Sequence, residues 1–121
     1  MVKAKLPTSV LVGSITYRVT RDDVDWLRIE HKTQAKGNYG FTENLGATIY
    51  LNPSAPEDVQ RLTLWHEVLH ALCASTMGSP DWAALGDDRD EREESVILAF
   101  ESPTLLVLRQ NPTLVAYLTT T

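Results

Sequence analysis

The stretch that decides the fold is residues 64–72, which reads LWHEVLHAL. Its two histidines, His66 and His70, stand four residues apart. On a helix this spacing puts both side chains on one face, with their Cβ atoms about 5–6 Å apart. Two imidazoles placed in this way can bind one zinc ion at about 2.0–2.1 Å. Glu67 follows the first histidine, and its carboxylate can accept a proton from a zinc-activated water as a general base without being a ligand itself.

The alternative interpretation is a pair of buried, hydrogen-bonded histidines that bind no metal. The surrounding helix is apolar around most of its circumference, through Leu62, Leu64, Leu69, Leu72 and Cys73. Burying two imidazoles and a carboxylate in such a helix is costly unless something satisfies them. This cost favours the zinc site. We interpret Cys73 as core packing rather than as a ligand.

A helix start precedes the motif. Ser54 fits the N-cap, Pro56 the first turn, and Glu57 the third position that a capping box requires. The helix is predicted to run to about Met77, where a glycine and a proline follow.

The chain beyond this helix keeps a helical pattern. Residues 88–102 are predicted as a second helix, with an acidic first turn that suits the helix dipole. Pro103 is predicted to start a further helical segment that reaches Gln110. Asn111 then precedes a proline, as a cap does, so a short helix is predicted over 113–118.

The first half of the chain is rich in Val, Ile, Thr and Tyr, with turn residues between the runs. Strands are predicted at 14–20, 26–31 and 46–51, although 21–24 suits the start of a short helix as well. The prediction is an α+β fold. A small antiparallel sheet of about three strands is followed by the motif helix and two to three further helices. One domain spans 1–121.

A catalytic zinc needs a third protein ligand. The long pattern with a third histidine six positions after the second is excluded, because that position is Thr76. The remaining candidates are His31 and the carboxylates of residues 87–94. We interpret most of that acidic run as a solvated helix start.

Helical phase selects Glu93 as the third ligand. It precedes Val96, Ile97 and Phe100 by three, four and seven residues, and these three mark the predicted buried side of its helix. Glu94 is rotated by about a hundred degrees from Glu93 and is the next candidate.

The composition is that of a globular protein. The chain has 121 residues, of which 43% are hydrophobic and 22% charged. Its net charge of −5 argues against nucleic acid or an anionic membrane as a partner. A single cysteine excludes an internal disulfide, and no apolar run is long enough to cross a bilayer. Nor is a signal peptide indicated, so we expect a cytoplasmic protein.

The chain resembles the gluzincin class of zinc metallopeptidases, which have a sheet before the HExxH helix and a glutamate on the next helix. The residues that carry this resemblance are 63–72 (TLWHEVLHAL) and 93–100 (EESVILAF). Within that class the chain is most similar to the small ImmA/IrrE-type metallopeptidases of phages and mobile elements. The resemblance covers roughly 46–118, and its specific part is the HExxH block. The family's Glu-x-x-Ala-x-x-Phe-Ala pattern is matched only loosely, because this chain has Val96, Ala99 and Phe100.

This resemblance implies a minimal zincin-like domain in which His66, His70 and Glu93 bind zinc. It implies that Glu67 is the catalytic base and that 47–51 pairs with the backbone of a protein or peptide substrate. Family members cleave proteins, including transcriptional repressors, in the cytoplasm. The competing hypothesis is a non-catalytic, zinc-stabilised regulatory or accessory protein that binds a partner, since a domain this small has little room for a cleft. An open fourth metal position would distinguish the enzyme from the structural site.

Overall fold

The computed structural model describes residues 4–34, 38–75 and 81–120. These ranges form an α+β fold, as predicted, with one four-stranded sheet and four helices. In chain order the elements are β1 (Ser9–Val12), β2 (Ile15–Thr20), α1 (Asp23–Thr33), β3 (Gly40–Glu43), β4 (Thr48–Leu51), α2 (Glu57–Ala74), α3 (Arg89–Gln110) and α4 (Pro112–Leu118).

The sheet is mixed, and its strand order is β1-β2-β4-β3. Antiparallel pairs form between β1 and β2 and between β3 and β4, whereas β2 and β4 run parallel. The strands predicted at 14–20 and 46–51 are confirmed as β2 and β4. The prediction of an antiparallel sheet of about three strands is wrong, because β1 and β3 were not recognised and the central pair is parallel.

Residues 26–31 were predicted as a strand and lie instead in helix α1. The side chain of Asp22 caps this helix by accepting hydrogen bonds from the backbone N–H groups of Val24 and Asp25. Trp26 and Ile29 stand three residues apart and are both buried, as one face of a helix requires. A helix between β2 and β4 supplies the crossover connection that two parallel strands need.

The two faces of the sheet are covered by different helices. Ile49 and Leu51 of β4 pack into the main core with residues of α2 such as Leu64. Tyr50, between them, packs with Trp26 of α1. Successive side chains of a strand point to opposite faces, so α1 and α2 lie on opposite sides of the sheet.

Helix α2 starts at Glu57 with Pro56 at the N-cap and has no side-chain cap. The predicted capping box is therefore wrong. The backbone N–H of Ser54 donates to the side chain of Asn52 in a turn, and the Glu57 carboxylate accepts a hydrogen bond from Tyr117. The helix ends at Ala74 with Ser75 in an extended conformation, about three residues before the predicted end at Met77, which itself lies outside the described residues.

The segments predicted as 88–102 and 103–110 form one continuous helix, α3, with Pro103 in its interior. Proline removes one helical hydrogen bond, and here Pro103 is buried one turn before the core residue Val107. The terminal helix was predicted correctly as α4. Within the described ranges, none of the helices combines the length and the hydropathy that crossing a bilayer requires.

Asn111 precedes α4 but does not cap it with its side chain. Its side-chain oxygen accepts from the N–H of Leu11 at 2.8 Å, and its amide nitrogen donates to the carbonyl of Leu11 at 2.8 Å. The same nitrogen donates to the carbonyl of Val107 at 2.7 Å. The amide thus pairs with edge strand β1 as a neighbouring strand would, and it ties the end of α3 to the sheet.

Candidate metal centre

His66 and His70 lie side by side on the exposed face of α2. Their Nε2 atoms are 3.2 Å apart, and their ring centroids are 4.8 Å apart at an interplanar angle of 71°. Leu64 and Val68, on the other side of the same helix, are fully buried in the core. The apolar part of the helix therefore fixes its rotation and turns both imidazoles outward. The expectation that the imidazoles are buried is wrong, so the cost of burying a polar group falls on Glu67 alone.

The distance between the two nitrogens fits a shared metal ion. Two nitrogens bound to one tetrahedral zinc ion at about 2.0–2.1 Å stand about 3.3 Å apart. The observed separation of 3.2 Å is also that of a hydrogen bond between one imidazole N–H and the other ring. Imidazole nitrogen is a preferred donor for zinc, so the pair suits two positions of a zinc site.

The carboxylate of Glu67 lies beside the pair and is held by β3. Glu67 is only 6% exposed, and such a carboxylate needs a partner. Thr42 supplies it, because its hydroxyl donates to Oε1 of Glu67 at 2.8 Å and lies 3.0 Å from the carbonyl oxygen of the same residue. The other carboxylate oxygen, Oε2, is 3.9 Å from Nε2 of His66. One oxygen is thus anchored, and the other lies near His66.

Strand β3 approaches α2 closely at Gly40. A Cβ atom at this position would lie 2.5 Å from Cγ2 of Thr63, 3.1 Å from the carbonyl oxygen of Tyr50 and 3.2 Å from Cγ of Glu67. Only glycine permits this approach, which brings Thr42 within reach of the carboxylate. The sequence interpretation missed Gly40 and Thr42, although a glycine within a short β-prone run is a sign of close backbone approach.

A groove of about 730 Å³ runs between α2 and β3 and opens onto the histidine pair. One wall is a stripe of α2, and the other is β3 with its flanking residues. The lining residues are Asn38, Tyr39, Gly40, Phe41, Thr42, Asn44, Val59, Leu62, Thr63, His66, Glu67 and His70.

Glu93, the predicted third ligand, is exposed on the first half of α3 and does not line this groove. Ile97, one of the three residues that mark the predicted buried side of α3, is 47% exposed. Burial in α3 is confined to Pro103 and Val107, because the helix packs through its C-terminal half. Among the described residues, no three His, Cys, Asp or Glu side chains form a group that could hold a metal. The third ligand therefore stays a prediction.

The other candidates also lie apart from the pair. Glu94 borders a separate groove beside Asp90 and Glu91. His31 is exposed on α1, the helix that covers the opposite face of the sheet. Cys73 is partly buried, and burial raises the pKa of its thiol, as expected for a packing residue.

Comparisons with protein-family models, with curated proteins and with solved structures gave no match. The candidate centre is therefore defined by its own geometry. It consists of two exposed imidazoles at metal-binding separation, a buried carboxylate beside them and a groove along an edge strand.

Proposed function

We propose that this protein is a zinc-dependent metallopeptidase that hydrolyses peptide bonds in a protein substrate. The observation that carries the proposal is the 3.2 Å separation of the His66 and His70 Nε2 atoms, with the Glu67 carboxylate beside them. These two histidines would hold the ion, with Glu93 as the predicted third ligand. When bound, zinc would supply Lewis-acid chemistry, lowering the pKa of water and polarising a substrate carbonyl.

Glu67 would act as the general base. Its Oε2 atom lies 3.9 Å from Nε2 of His66, where it would accept a proton from the attacking water and pass it to the departing amine. Thr42 would position this base, because the hydrogen bond to Oε1 holds one orientation of the carboxylate. The burial of Glu67 keeps competing water away from the anchored oxygen.

Strand β3 is the edge that would receive the substrate backbone. The expectation that 47–51 does so fails, because β4 lies between β2 and β3. Tyr39, just before β3, accepts a hydrogen bond through its carbonyl from the N–H of Asn52, which follows β4. In an antiparallel pair the direction of the backbone groups alternates, so those of Gly40 and Thr42 point to the open side. An extended peptide could add to this edge within the groove.

The test is the variant Glu67→Gln. Zinc-loaded wild-type protein and variant are incubated with a mixture of peptides of known sequence, and products are identified by mass spectrometry. We expect the variant to keep its zinc and to lose hydrolysis by a factor of about 10²–10⁴, the usual contribution of a general base. Exposed Glu101→Gln is the matched control and should cleave as the wild type does. Unchanged cleavage by Glu67→Gln would refute the mechanism.

A second candidate function is a zinc-stabilised regulatory or accessory protein. It is favoured by one observation: the described residues bring only two ligand side chains together. A Cys, His or carboxylate from a partner would then complete the coordination. In that case zinc would raise the stability of the protein or its affinity for the partner, and no peptide would be cleaved. For either function we propose a cytoplasmic protein of phage or mobile-element origin, as the resemblance implies.

A further inference from the structure

The groove continues past the histidine pair into an apolar end. Val59, Leu62, His66 and His70 follow one another at spacings of three or four residues, so they form one stripe of α2. Leu62 is 71% exposed, and Tyr39, just before β3, is 56% exposed. Both side chains line the groove, so the exposed apolar surface adjoins the candidate centre.

The charges of the groove restrict what could cover this surface. Among the described residues that line it, one carries a carboxylate, Glu67, and none is a lysine or arginine. A charged side chain entering the apolar end would lose hydration without gaining a partner. A large apolar side chain would bury the exposed surface of Leu62 and Tyr39 and would be stabilised by it.

The position of this end along the groove sets which substrate residue it meets. Gly40 lies against Thr63 and Thr42 against Glu67, so β3 and α2 run in the same direction along the groove. Leu62 precedes His66 by four residues, a rise of about 6 Å along the helix. An extended peptide advances about 3.3 Å per residue. The apolar end therefore lies within two residues of a peptide bond held at the histidines.

We propose that Tyr39, Val59 and Leu62 form an apolar subsite that selects substrates with a large uncharged side chain, such as Leu, Met or Phe, within two residues of the cleaved bond. This subsite rests on the proposed peptidase function for its role, but its ability to bind a side chain does not depend on hydrolysis.

The experiment therefore measures binding and cleavage separately. Blocked pentapeptides of alanine with a central Leu, Phe, Asp, Lys or Ala are titrated into the zinc-loaded Glu67→Gln variant, and binding is followed by NMR shifts of groove residues. We expect the Leu and Phe peptides to bind at least about tenfold more tightly than the Asp and Lys peptides, as burial of one such side chain implies. Leu62→Ser should remove this preference. Leu27→Ser, on α1 and 63% exposed, is the matched control and should keep it.

The same peptide mixture used for the peptidase test reports on cleavage. The subsite predicts that cleaved bonds have a large apolar residue within two positions and that Leu62→Ser slows their hydrolysis about tenfold or more. Cleavage without this preference, or peptide binding that is equal for Leu, Asp and Lys or absent, would overturn the subsite. Selective binding of the apolar peptides without cleavage by the wild type would leave the subsite standing and remove the peptidase proposal.

Discussion

Gly40→Ala tests whether the close approach of β3 to α2 builds the site. The added methyl group would lie 2.5 Å from Cγ2 of Thr63, well inside the normal separation of about 3.5–4.0 Å. Thr63 is β-branched and only 8% exposed, so it cannot easily turn away. The strand must therefore move outward, and that movement would carry Thr42 away from the Glu67 carboxylate.

The expected loss of stability follows from two opposing effects. Overpacking of a buried contact costs about 1–3 kcal/mol, whereas replacing glycine by alanine restricts the unfolded chain and returns about 0.4–1 kcal/mol. The net loss in the free energy of unfolding should be about 1–2 kcal/mol. For a domain of this size, each kcal/mol lowers the Tm by about 4 °C.

Urea denaturation of the wild type and variant measures this loss. Gly46→Ala is the control, because a Cβ there would meet only the carboxylate end of the flexible Glu43 side chain. We expect that control to stay within about 0.5 kcal/mol of the wild type. Adding Thr63→Ser to Gly40→Ala removes the Cγ2 atom and should recover part of the loss. Equal stabilities for the Gly40 and Gly46 variants would refute the close-approach argument.

Three further changes test other contacts. Thr42→Val should lower the free energy of unfolding by about 1–3 kcal/mol in urea, because Glu67 loses its buried partner, whereas Thr42→Ser should restore it; equal effects would contradict this. Asn111→Ala should cost about 2–4 kcal/mol, since both backbone groups of Leu11 lose their partner. A loss below about 0.5 kcal/mol, which is the size expected of a neutral surface change, would show that the Asn111 side chain does not pair with β1 as a strand would. Burial, and then a hydrogen bond to a carboxylate, raises the pKa of Tyr117 from 10.0 to about 12. Its contribution to stability is therefore full below about pH 10 and falls as the pH rises to about 12, so the stability gap between wild type and Tyr117→Phe should narrow over that range.

The elements that local signals determine were predictable from the sequence. The start and stop signals on either side of the motif predict a helix there, although the side-chain cap itself does not form. The four-residue spacing puts the two histidines on one face of that helix, and β2 and β4 are recognisable from their β-branched residues. The pair of Asn111 and a proline located the start of α4 correctly, although the asparagine side chain bonds elsewhere. Such signals act within a few residues, and tertiary contacts did not override them.

The rest depended on contacts between distant parts of the chain. Part of helix α1, residues 26–31, is predicted as a strand. Six residues are too few to distinguish the 3.6-residue period of apolar positions in a helix from the two-residue period of a strand. Whether Glu93 lies on a buried face depends on which half of α3 meets the core. The buried residues of α3 are Pro103 and Val107, so its C-terminal half does. The role of Thr42 exists only once β3 lies against α2. No local pattern encodes these neighbours.

The central claim is that His66 and His70 bind one zinc ion. The most direct test is the zinc content of the purified protein by elemental analysis, compared among wild type, His66→Ala, His70→Ala and His31→Ala. We predict one zinc per chain in the wild type and in His31→Ala, because His31 lies on the helix that covers the other face of the sheet. Both variants of the pair should lose the metal, and Glu93→Ala would test the predicted third ligand in the same series. A wild type without zinc, or full zinc in His66→Ala and His70→Ala, would contradict the claim.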